Sequence, residues 1–146
     1  MKFSTKALTA GLNLFAGVAF AEGEATDPTV IARQEVMETI GKNTKVLGDM
    51  AGDKAAFDAA AAEAAKAAII AASAEIAAKF EPQATDPASE AKPEIWTNWD
   101  DFVVKATALN TAATAVDVAS LDGIKAGMGG IGGACKACHT DYRVMK

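Results

Sequence analysis

One histidine, two cysteines, one tyrosine and four prolines in 146 residues leave this chain few ways to do chemistry. Three residues of the His and Cys types fall one short of a closed zinc site. β-Branched residues never form an alternating run, so no strand is expected. A redox-active C-x-x-C of the thioredoxin kind, which needs a strand and a βαβ setting, is excluded with it. Proline lies only at the edges of periodic segments, which leaves their interiors free to be helical. The longest apolar stretch, about Leu8 to Phe20, is broken by Asn13 and two glycines and falls short of a bilayer span, so no stable membrane insertion is expected. A net charge of −5 offers no basic surface for nucleic acid.

What is present begins with a leader. Lys2 and Lys6 precede the apolar stretch, and Ala19-Phe20-Ala21 is a small-x-small cleavage site, so residues 1–21 read as a signal peptide and 22–146 as one mature domain. The expected location is the bacterial periplasm. Without the leader the net charge falls to −7, with 19 acidic against 12 basic residues.

Alanine-rich, proline-bounded periodicity predicts four helices. The first is capped by Asp27, has Pro28 at its first position and ends near Ala51. Its inward stripe is Val30, Arg33, Met37, Ile40, Thr44 and Leu47. The second is expected from an Asp53 cap to Phe80, burying Phe57, Ile69, Ile76 and Phe80. Glu81 to Lys92 reads as an exposed linker. A third helix starts at Pro93 and runs through Ile95, Trp99, Phe102, Ala106, Leu109, Ala113 and Val116 in steps of four and three. The fourth, about Ser120 to Met145, keeps that rhythm at Leu121, Ile124, Met128, Ile131, Cys135, Cys138 and Tyr142. The expected fold class is all-α, an antiparallel four-helix bundle with its cofactor in the core.

That cofactor is indicated by Cys135-Lys136-Ala137-Cys138-His139. C-x-x-C-H is the attachment signature of haem c: both thiols add to the porphyrin vinyls, and the adjacent imidazole takes the iron. A plain disulfide is the alternative in an oxidising compartment, but it leaves the histidine without a role. Spacing puts both cysteines on the inward seam and His139 one residue further round. Gly129, Gly130, Gly132 and Gly133 precede the motif. They are read as a close approach of backbone to a flat group, or as a break between two helices. A second imidazole is excluded, so a methionine sulfur is the remaining candidate for the iron's other face. Met128 and Met145 share a helix with His139, and Met50 lies about 20 Å along the first helix from Met37. Met37 is therefore the candidate, its alternative use being to fill a gap in the core. Arg33, one turn before Met37, needs an anion if buried, for which a haem propionate is the natural candidate. Trp96, Trp99, Phe102 and Tyr142 are expected to pack on the haem.

Arg33 with Met37 four residues on, Pro93-Glu94-Ile95-Trp96, and the run from Gly132 to Arg143 together make the chain similar to the class II c-type cytochromes, the cytochrome c′ family. The resemblance covers the mature chain. It implies one haem c per chain, an electron carrier rather than an enzyme, and redox proteins as partners. The family divides by the sixth iron position: low-spin members (the cytochrome c-554/c-556 type) fill it with a first-helix methionine, here Met37, whereas high-spin members leave it open and bind NO or CO. Gly41 to Gly48 resembles the low-spin branch. Arg143 resembles the family's proximal arginine, near the axial imidazole. The resemblance admits a monomer or a homodimer.

Overall fold

The computed structural model describes residues 24–144; the expected leader and Met145 lie outside the described residues. Four long helices, α1 (Pro28–Ala51), α2 (Ala59–Phe80), α4 (Trp99–Ala115) and α5 (Leu121–Tyr142), pack in a closed ring, each against the next and α1 against α5. A single turn, α3 (Glu94–Thr97), precedes α4. This is the expected all-α bundle. No strand occurs among the described residues, only an isolated antiparallel bridge between Ala91 and Arg143.

α1 begins where its chemistry dictates. The Asp27 carboxylate accepts from the amides of Thr29 and Val30, and Pro28 occupies the position whose amide has no helical partner. Such a cap contributes about 1 kcal/mol. At the other end Asp53 is not the cap of α2. It adopts a left-handed conformation, φ 57°, that extends the turn closing α1, and the chain does not re-enter a helix until Asp58 caps α2 through the amide of Ala61. The late start removes Phe57 from the helix and leaves it 39% exposed rather than in the core. The buried face of α2 is rich in small side chains: Ala62, Ala65, Ala72 and Ser73 lie beside Ile69, Ile76 and Phe80, which lets neighbouring helices approach closely.

The expected third helix is broken at Asn98. Ile95 is buried, and the Trp96 indole N–H donates to the Phe80 carbonyl at 2.7 Å, so this turn is fastened to the end of α2 before α4 restarts. α5 is capped by Ser120, whose hydroxyl accepts from the amide of Gly123, and ends three residues earlier than expected. It stops because the linker pairs with it: Lys92 N–H donates to the Tyr142 carbonyl, and Val144 N–H to that of Glu90.

The linker is therefore not a free exposed loop. Asp86 is buried and accepts from the amides of Thr26, Asp27 and Ala88, which pins the linker over the start of α1. The glycines also differ from expectation. Gly129, Gly130, Gly132 and Gly133 lie on the exposed face of continuous α5; a Cβ at Gly129, Gly132 or Gly133 would meet nothing within 4 Å. The close approach occurs one to two turns earlier. A Cβ at Gly123 would lie 2.5 Å from the Asp117 carbonyl oxygen, and one at Gly127 2.8 Å from a Val116 methyl. Nothing in the described residues explains the glycines on the open face.

Candidate functional site

A cavity of about 970 Å³ opens between the helices, and all six residues singled out from the sequence line it: Arg33 and Met37 from α1, Cys135, Cys138 and His139 from α5, and Arg143 just after α5. Its apolar walls include Ile40, Ile76, Phe102, Ala106 and Leu109. Residues Ala88 to Ala91 of the linker close one side. A volume of this size suits a large, mostly apolar ligand.

Cys135 and Cys138 are unpaired and partly buried. Burial raises both thiols and pushes Cys138 up to about 11, the opposite of the lowered value that makes a cysteine a redox nucleophile. Burial, then the charge of Arg143, lowers His139, while Glu90 opposes the change; the imidazole is neutral near pH 7, the form that binds a metal. Among the described residues no group of three His, Cys, Asp or Glu side chains could hold a metal ion by itself.

Arg33 is only 3% exposed, and its guanidinium lies between the rings of Phe80 and Trp96, 5.2 and 5.0 Å from their centroids. Its Nε donates to the Lys79 carbonyl at 3.2 Å and its Nη2 to that of Pro82. Nη1 is buried without a partner among the described residues. Burial lowers the guanidinium's pKa, against the raising influence of Asp27, yet the starting value keeps it charged. A fully buried donor on a charged group is costly to leave unmade, so the cavity is suited to an anion at that atom. Thr44 supplies the other buried polar atom without a partner, its Oγ1. Thr39, Thr107, Thr114 and Thr140 each donate to the carbonyl four residues back.

Among the described methionines Met37 alone lines the cavity. Met50 is buried in the core, and Met128 lies against Gly48. The expected aromatic packing is divided. Phe102 and Tyr142 line the cavity, with ring centroids 5.4 Å apart, whereas Trp96 and Trp99 face a separate cleft around α3. Sequence reasoning missed two neighbours. Lys105 faces the cavity and is tied to Asp101 and Asp141 at 2.6 and 2.5 Å, with the Tyr142 hydroxyl donating to Asp101. Its i,i+4 spacing from Asp101 was a readable sign. Glu90, from the linker, bonds Arg143, and no local pattern foretold it.

A partly buried pair of thiols, a neutral imidazole beside them and a large apolar cavity lined by a cationic donor define a haem-binding helical bundle. Residues 29–143 match the family described as Cytochrome C′. A cytochrome c-556 from Agrobacterium fabrum is 35% identical over 150 residues, covering 100% of this chain and 97% of its own. The structure of cytochrome c′ from Rhodopseudomonas palustris superposes with a TM-score of 0.73 at 30% identity, covering 83% of this chain and 99% of that one. A nitric oxide complex of a mutant cytochrome c prime from Alcaligenes xylosoxidans gives a TM-score of 0.72 at 29% identity, covering 81% and 94%. The chain belongs to the cytochrome c′ family. It is a haem protein of the electron-carrier class, with one covalently bound haem c for which its two cysteines provide the thiols. No helix among the described residues is long and apolar enough to cross a membrane.

Proposed function

We propose that this chain is a periplasmic electron carrier, joined to haem through Cys135 and Cys138, with His139 and Met37 as the axial ligands. Bound haem c supplies a one-electron ferric–ferrous couple. The protein's own part is to hold His139 neutral on α5, to offer Met37 from α1, and to keep water away with the walls at Ile40, Phe102 and Leu109. Arg33 gives its unpartnered Nη1 to a propionate, and Arg143 adds positive charge near the imidazole. Leader removal after Ala21 belongs to the same proposal and is tested by the mass of the periplasmic protein, expected to begin at Glu22.

The single observation that carries this reading is the placement of Met37, the described methionine that lines the cavity, on a different helix from His139. The c-556 relative, aligned along the whole chain, supports it. The nitric oxide complex of the structural neighbour supports a second reading, in which Met37 screens an open sixth position and the haem binds NO or CO. The absorption spectrum of the oxidised holoprotein decides between them. A methionine–iron charge-transfer band that disappears in Met37→Ala is expected. A high-spin ferric spectrum with strong carbon monoxide binding on reduction would overturn the low-spin assignment.

A further inference from the structure

The side chains that surround His139 include an ion pair that the carrier function does not by itself require. Glu90 Oε2 accepts from Arg143 Nε at 2.7 Å and lies 2.6 Å from Nη2, so one carboxylate oxygen is clasped by two guanidinium nitrogens. Both partners are held by backbone. Val144 N–H donates to the Glu90 carbonyl at 2.8 Å, Lys92 N–H to that of Tyr142 at 3.0 Å, and Ala91 bridges Arg143. Arg143 N–H in turn donates to the His139 carbonyl. Glu90, Arg143 and His139 line one wall of the same cavity.

An ion pair this exposed, with side chains 31% and 50% accessible, contributes little to stability. Its placement gives it a different effect. A positive charge one turn beyond His139 disfavours the ferric state, which carries one more positive charge than the ferrous; a carboxylate clasped to that charge cancels part of it.

We propose that Glu90 is a positioning residue for electron transfer: as the linker-borne counter-ion of Arg143, it sets how much positive charge the His139 side of the haem experiences, and so sets the reduction potential. This rests on haem ligation by His139 but not on ligation by Met37.

The test is a redox titration of the purified holoproteins. Glu90→Gln is expected to raise the ferrous-to-ferric ratio at a fixed ambient potential by roughly two- to fivefold, and Arg143→Gln to lower it by a similar factor. The double variant should return close to the starting protein, and both single shifts should shrink as salt is raised to about 1 M. A purely structural pair would move thermal stability without this opposition of sign or this salt dependence. Unchanged potentials in folded single variants, or shifts of the same sign in both, would overturn the proposal. Failure of the underlying ligation is read separately: haem lost from the polypeptide on a denaturing gel, or a native spectrum without histidine ligation, refutes the attachment whatever the potentials.

Discussion

Replacing Gly129 and Gly133 together with alanine should make the holoprotein more stable, whereas replacing Gly123 alone should make it less so. The two sites lie one turn apart in the interior of α5, both exposed, and a Cβ at either would meet nothing within 4 Å. Each substitution then acts only through helix propensity, worth about 0.8–1 kcal/mol, and the pair sums to roughly 1.5–2 kcal/mol. For a chain of this size that raises the thermal midpoint by about 6–8 °C. At Gly123 the new Cβ would sit 2.5 Å from a backbone oxygen of Asp117, which cannot swing aside as a side chain can. Overpacking of about 1–3 kcal/mol there outweighs the small propensity gain of a first-turn position, giving a net loss near 1–2 kcal/mol. Urea and thermal unfolding of the holoproteins, followed by far-UV circular dichroism, give both numbers. A Gly129→Ala, Gly133→Ala double variant that loses 1 kcal/mol or more would refute the reasoning. It would show that a bulky group occupies this face of α5, as the glycine run suggests when read from sequence alone.

Thr44→Val should stabilise the holoprotein by about 1 kcal/mol, because it removes a buried hydroxyl without a partner at nearly equal volume and helix propensity; a loss in urea unfolding would show that the hydroxyl finds a partner once haem is bound. Asp86 gives a pH signature. Amides of Ala88, Asp27 and Thr26 hold its carboxyl down to about 2, below the ordinary carboxylate value near 3.9. Its contribution to stability is whole above about pH 4 and is lost as the pH falls toward 2. Stability measured across that window should fall less steeply in Asp86→Asn; an unchanged slope would show that Asp86 is not part of the acid response. Asp101, held down first by Lys105 and then by Tyr142, acts in the same direction and supplies part of the slope that remains.

What could be read from the residues alone was whatever depends on neighbours in sequence. Asp27 and Pro28 start α1 because a cap and a missing amide act over three residues, and the C-x-x-C-H spacing works within one turn of helix. Steps of three and four put Arg33, Met37, Cys135 and Cys138 on inward faces, and the structure brings them to one cavity. Apart from the local turn that takes Asp53, the rest was decided by contacts between segments far apart in the chain. Asp53 has the right residue type for a cap, yet the turn closing α1 takes it, and Asp58 starts α2 instead. Asp86 looks like a linker residue until the amides 59 and 60 positions earlier reach it. Arg33 has its place between Phe80 and Trp96 only once α2 and α3 meet. Helical period tells which way a side chain points, but the ion pair of Glu90 with Arg143 spans 53 residues and forms only when the linker closes on α5. Local hydrogen bonding and periodicity therefore determined the helices and the haem motif, while packing alone decided which charges stand beside them.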